Sequence, residues 1–277
     1  MEEIIFDNPE DAARSLLVDA TRLAQNAGQD FAVVGGWSPF LRNANAFTHP
    51  GTKDVDLLFK GATKTEGIKN VIRIFLEAKY LVSAKHGFQL LKQIKVGDQE
   101  FVFNVDLLHP SESTPKGNMM VDQIDLDIPE NRRRICSCKI KSIALPYSDF
   151  VFPEFIVQHE VTATDLRNGQ EVKRTVPLVD EVGVFITKIE SVGNPKRPRD
   201  AFDIFLALTQ PQNSSKLITN LRNLRTKYEG IDELVRKFEE FIEKKESFTQ
   251  NVKKFAPQVQ EPAQQVAIVL NQTRLPH

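Results

Sequence analysis

Cysteine is nearly absent: the 277-residue chain contains two, Cys136 and Cys138. A pair separated by one serine is too close to staple a fold, and no His or Cys stands within zinc spacing, so neither a disulfide framework nor a zinc site is indicated. The five histidines, His49, His86, His109, His159 and His277, are scattered and form no ligand motif. No apolar run approaches the roughly 20 residues of a membrane span. The start, Met1-Glu2-Glu3-Ile4-Ile5-Phe6-Asp7, lacks the basic flank and apolar stretch of a secretion signal. A cytoplasmic protein with no membrane partner is therefore expected. An excess of either charge is missing too: the formal net charge is -1, which leaves no global positive field to hold nucleic acid. Any such contact has to come from local patches. Arg132, Arg133 and Arg134 form one, and residues 196–199 another; each either grips phosphates or is a solvated loop.

What is present is an ordinary globular composition, 41% hydrophobic and 26% charged, long enough for one large domain or two modest ones. Apolar residues recur with helical period over residues 9–27, with Asn8-Pro9 as a start and Gly28 as a stop. Extended runs follow at 31–34 and 55–59, with a short helix between them at 38–43 and a longer helix at 67–80. Residues 88–96 and 101–108 read as a hairpin around Gly97-Asp98, and 155–161 with 171–176 as another around Asn168-Gly169. A further strand is expected at 135–143, whereas 111–134 has a loop-like pattern. From residue 179 the periodicity becomes helical, and after Phe248 the tail is rich in Gln and Pro with one apolar patch at 266–270. This predicts an α+β protein: a mixed-sheet core with flanking helices over 1–178, then a mostly helical domain over 179–277.

The chemistry concentrates in residues 35–56. Gly35-Gly36-Trp37-Ser38 follows the apolar run Phe31-Ala32-Val33-Val34, and Asp54-Val55-Asp56 opens the next one. Residues i and i+2 of a strand share a face, so Asp54 and Asp56 stand side by side. Two carboxylates a few ångströms apart repel by about 4 kcal/mol at an effective dielectric near 20. Mg²⁺ between them relieves that, since it takes one or two carboxylates and leaves its remaining positions to water and substrate phosphates. A third acid, Asp106, lies in Phe101-Val102-Phe103-Asn104-Val105-Asp106-Leu107-Leu108, on the face opposite the Phe/Val/Leu alternation. It is either a metal ligand or a strand-end acid reaching solvent. A second Asp-x-Asp, Asp125-Leu126-Asp127, sits in an acidic, proline-flanked stretch and reads as a solvated loop.

A Gly-Gly turn, a spacer, Asp-x-Asp on a strand and a later lone Asp on a strand resemble the polymerase β-like nucleotidyltransferase superfamily. In the second half, Lys188-Ile189-Glu190 and Lys196-Arg197-Pro198-Arg199-Asp200-Ala201-Phe202-Asp203 resemble the lysine helix and Arg-Asp-x-x-Asp segment of the type IV abortive-infection toxins. The chain departs from the pattern in two places: Gly36 stands where many members have serine, and the spacer to Asp54 is long. The resemblance implies that Asp54, Asp56 and Asp106 hold two Mg²⁺ ions with a nucleoside triphosphate, and that Asp106 helps activate the acceptor hydroxyl. Gly35, Gly36, Ser38, Lys188 and Arg199 would contact the nucleotide, and the helical domain would close its cleft. It also implies a toxin-like, antiphage role with a small antitoxin protein as partner, while the arginine and lysine clusters tilt the expected acceptor towards RNA.

Each of these residues has a plainer reading. Gly35-Gly36 is also an ordinary strand-to-helix turn, Trp37 either stacks on a base or packs, and Lys188 is also an ordinary lysine on an amphipathic helix. Asp200 and Asp203 read as structural, orienting Lys188 or Arg199. Two other functions remain open: a small-molecule, aminoglycoside-type nucleotidyltransferase, favoured by an acidic acceptor surface, and a catalytically silent nucleotide-binding module.

Overall fold

The computed structural model describes residues 4–42, 47–60, 66–111, 121–125 and 139–274. Cys136, Cys138, the arginines at 132–134, Leu126, Asp127 and His277 lie outside them. The architecture is α+β, and the chain divides into two compact units. The first comprises Met1–Val34 and Thr52–Leu178, the second Gly35–Gly51 and Val179–His277.

The first unit is built on a mixed sheet of ten strands among the described residues. In chain order these are β1 (Ile5–Phe6), β2 (Phe31–Val34), β3 (Val55–Phe59), β4 (Leu81–Val82), β5 (Gln89–Val96), β6 (Gln99–Ser111), β7 (Val121–Asp125), β8 (Lys139–Pro146), β9 (Ile156–Thr164) and β10 (Glu171–Val179). The main path runs β1-β5-β6-β3-β2-β10-β9, with β4 beside β5 and the β7–β8 pair beside β6. Helices α1 (Pro9–Asn26) and α3 (Glu66–Glu77) belong to this unit. α1 starts where Asn8 accepts a hydrogen bond from the Asp11 amide and Pro9 occupies the first turn. It ends at Gly28, whose φ of +71° suits a residue without Cβ. Its buried stripe, including Leu16, Leu17, Ala20 and Leu23, packs against α3, β5, β6 and β9. Tyr80, just beyond α3, donates to the buried Asp19 carboxylate at 2.9 Å and ties the two helical segments together.

The hairpin β5–β6 turns at Gly97, with φ +56°. β6 is long enough to serve three partners in succession: β5 antiparallel, then β3 and β8 parallel. Two differences from the expected elements stand out. Residues 121–125, expected as loop, form β7, which pairs antiparallel with β8 over Val121↔Ile143 to Asp125↔Lys139. The pairing partner lies well along the chain, so local pattern carries little trace of it. The short strands β1 and β4, two residues each, show no period to detect.

The second unit contains α2 (Trp37–Arg42), α4 (Glu181–Lys188), α5 (Pro198–Thr209), α6 (Ser214–Lys227), α7 (Glu229–Lys244), α8 (Ser247–Phe255) and α9 (Pro262–Asn271). The expected tail after Phe248 is thus two helices; Pro262 stands at the start of α9, where its missing N–H costs no hydrogen bond. α5 is buried over Asp200 to Leu208 and packs on α4, α8 and α9. Aromatic contacts fill the centre: Phe185 meets Phe238 edge-on at 5.4 Å, and Phe238 meets Phe248 at 5.7 Å.

Candidate functional site

β3 lies between β2 and β6, and its register decides which acids meet. β3 and β6 run parallel with Asp56 opposite Asp106, while β2 runs antiparallel with Val34 opposite Asp56. Register partners on neighbouring strands share a face, so both carboxylates rise from the same side, their Cα atoms about 4.8 Å apart. The odd-numbered residues Phe103, Val105 and Leu107 are buried, while Asn104 and Asp106 are half-buried and Val102 is 55% exposed. The face that carries Asn104, Asp56 and Asp106 also carries Leu58 and Leu108, both buried. Asp56 is half-buried, and Asp54, just before β3, is exposed.

Two carboxylates one strand spacing apart repel by about 3 kcal/mol at an effective dielectric near 20. The pair fits the Mg²⁺ preference for one or two carboxylates, the other positions going to water and phosphate oxygens. Among the described residues no group of three or more His, Cys, Asp or Glu side chains is close enough to hold an ion by itself.

The glycine turn and the later basic residues belong to the second unit. Gly35 has φ +75°, a conformation that disfavours any side chain, and α2 begins directly after Gly36. Trp37 is fully buried. Ser38 is fully buried too, and its hydroxyl donates to the Val179 carbonyl, so that hydroxyl is engaged within the unit. Arg42, at the end of α2, is buried and donates from Nη2 to both carboxylate oxygens of Glu181, at 2.9 and 3.0 Å.

Lys188 is 3% exposed, and its Nζ lies 2.7 Å from Asp200 and 2.9 Å from Asp203. Asp200 and Asp203, three apart on α5, share a helix face, which is why one ammonium meets both. Burial alone would lower the Lys188 pKa, but Asp203 and Asp200 outweigh it and the pKa rises. Burial would raise both aspartates; the Lys188 charge overcomes it, helped at Asp200 by Arg197 and at Asp203 by His49, and both are held below the usual carboxylate range. Sequence reasoning placed Lys188 on a triphosphate; in the structure its charge is matched by two carboxylates of its own unit.

His49 completes this cluster, and sequence gave no sign of it. Its Nδ1 accepts from the Gly51 amide at 3.1 Å, so the proton sits on Nε2, which donates to Asp203 Oδ1 at 2.9 Å. Phe202 stacks on the ring at 5.9 Å. Arg199 donates to the Gly51 carbonyl at 2.9 Å and lies 3.8 Å from Asp203, and Arg197 pairs with Asp200 at 2.7 Å. Both arginines of the basic loop thus have protein partners.

No protein-family model and no curated protein sequence matches the chain. It is distantly similar to a nucleotidyltransferase-like structure. That is the crystal structure of an antigenic nucleotidyltransferase-like protein from Paracoccidioides brasiliensis, at 17% identity and a TM-score of 0.31, over 83% of this chain and 94% of that one. At that distance the chemistry rests on the residues themselves. No helix among the described residues is long and apolar enough to cross a membrane.

Proposed function

We propose that the chain is a Mg²⁺-dependent nucleotidyltransferase that moves a nucleoside monophosphate from a triphosphate to an acceptor hydroxyl. The observation that carries this reading is the pairing of Asp56 with Asp106 on one face of the sheet. A bound Mg²⁺ would offset the negative charge of the phosphates and of the two carboxylates. Asp56 and Asp106 would hold it, with Asp54 as the further carboxylate for a second ion. Gly35 and Gly36 keep the nucleotide contact that the resemblance implies for them. The acceptor oxygen bonds to the α-phosphorus, the bond from that phosphorus to the α–β bridging oxygen breaks, and pyrophosphate leaves with the electron pair. The hydroxyl proton passes to Asp106, the acid on the acceptor side.

The resemblance to type IV abortive-infection toxins adds a toxin role and a small antitoxin as further proposals. Ser38 and Lys188, engaged within the second unit, contribute less to nucleotide binding on this reading than Gly35 and Gly36. The test is incubation with α-labelled nucleoside triphosphates and Mg²⁺, following pyrophosphate release and label transfer. Wild type turns over, and folded Asp56→Ala loses roughly a hundredfold or more, about 2.7 kcal/mol of barrier. Absence of Mg²⁺-dependent pyrophosphate release from wild type, with or without acceptor, would reject the proposal.

A further inference from the structure

The two carboxylates around the start of β3 are held by different means. Asp56 lies inside the strand, where the ladders to β2 and β6 fix its place from both sides. Asp54 stands one residue before β3, outside those ladders. Its place follows from Val55 on one side and from the turn before it on the other.

That turn, residues 49–51, is restrained on all three residues. The ring of Pro50 sets its own φ. Gly51 has φ +77°, and a Cβ there would meet nothing within 4 Å, so backbone conformation and not crowding calls for glycine. The Gly51 amide donates to His49 Nδ1 at 3.1 Å, and the Gly51 carbonyl accepts from Arg199 at 2.9 Å. His49 Nε2 in turn donates to Asp203, which Lys188 also holds, and both side chains of the His49–Asp203 pair are fully buried. Phe40 and Phe202 lie against the imidazole, with ring centres 5.5 and 5.9 Å away. One helix, α5, thus supplies Arg199, Phe202 and Asp203 to a single turn. Only Thr52 and Lys53 separate Gly51 from Asp54, a tether of at most about 11 Å. Thr52 is buried, and its hydroxyl donates to the Asp54 carbonyl at 3.4 Å.

Building on the metal-dependent reading above, we propose that His49 and Arg199 are positioning residues: they fix Gly51 and, through the short tether, set the Asp54 carboxylate for a divalent cation. Misplacing a reacting group by about 1 Å costs on the order of a hundredfold, so a grip this close along the chain is enough to matter. Neither residue touches the ion or the nucleotide in this role.

The probe is Mn²⁺ alone, without nucleotide, its binding to the full chain followed by electron paramagnetic resonance. Wild type binds, and Asp54→Asn, Arg199→Met and His49→Ala each weaken binding about tenfold. Removing a positive charge would by itself strengthen cation binding, and an arginine serving only a phosphate would leave it unchanged. A loss in Arg199→Met therefore reports the place of the carboxylate. His49→Asn keeps an acceptor for the Gly51 amide and recovers most of what His49→Ala loses. Arg199→Met/Asp54→Asn binds no more weakly than Asp54→Asn, because both changes remove the same ligand. Wild-type affinity in folded Arg199→Met, or additive losses in the double variant, overturns the positioning role. His49→Asn binding as weakly as folded His49→Ala overturns the grip on Gly51; where His49→Ala fails to fold, Arg199→Met decides. No Mn²⁺ bound by wild type overturns the metal site and this proposal with it, whereas Mn²⁺ binding without pyrophosphate release overturns only the transfer reaction.

Discussion

Replacing Lys188 with methionine separates two roles for this residue, because they predict different observables. The side chain is 3% exposed and its ammonium contacts Asp200 and Asp203 at 2.7 and 2.9 Å. Removing one member of a buried ion pair costs about 3–5 kcal/mol, since the remaining charge stays desolvated. Here two carboxylates lose their common cation. Arg197 and Ser191 remain on Asp200, and His49 on Asp203, which argues for the lower end, about 3 kcal/mol. For a chain of this length that lowers the melting temperature by about 6–12 °C. The assay is a thermal melt of ligand-free wild type and Lys188→Met, followed by circular dichroism. The double variant Lys188→Met/Asp200→Asn removes one stranded charge and should recover part of the loss. A lysine serving chiefly to hold phosphate would leave the ligand-free melt unchanged. A variant melting within about 2 °C of wild type would therefore refute the structural account, and a tenfold rise in triphosphate KM in that same variant would restore the phosphate role.

Acid should weaken the same cluster. The folded pKa values of Asp200 and Asp203 are depressed, so their contribution is present above the ordinary carboxylate value of about 3.9 and is lost as pH falls through the lower folded values. Lys188 is raised, so its contribution holds below about 10.4 and is lost only as pH rises through its higher folded value. Melts from pH 2 to 11 should show the wild-type advantage over Lys188→Met flat between those limits and shrinking at both ends. Asp56→Ala should leave the metal-free melting temperature unchanged or slightly raised, because it relieves the repulsion with Asp106; a fall of several degrees would recast Asp56 as structural. Gly35→Ala should cost about 1–2 kcal/mol, the penalty of a Cβ at positive φ, measured by urea denaturation.

Much of the sheet was legible because its signals are local. The alternation from Phe103 to Leu107, the Gly97-Asp98 and Asn168-Gly169 turns and the Asn8-Pro9 helix start each depend on residues a few positions apart. Asp56 and Asp106 could be assigned to strand faces from spacing; their register could not, because nothing within either strand names its partner. The Lys188 cluster shows the same limit. The three-residue spacing of Asp200 and Asp203 was visible and suggested a structural role, but whether a lysine faces solvent or carboxylates depends on how α4 packs on α5. His49 meets Asp203 across 154 residues of sequence, beyond the reach of any motif.

The chain passes between its two units at 34/35, 51/52 and 178/179. Neither unit can therefore be obtained by a single cut. A fragment ending at residue 178 would keep Gly35–Gly51 but lose Glu181, Phe202 and Asp203, the partners of Arg42 and His49. During synthesis, Arg42 and His49 have to wait until α4 and α5 have emerged before they can meet these partners, more than 130 positions later. Deletion mapping by truncation would register a folding defect wherever the cut falls. Any transplant of the carboxylate-bearing half into another protein has to be designed as a split insertion, with the intervening segment replaced by a linker.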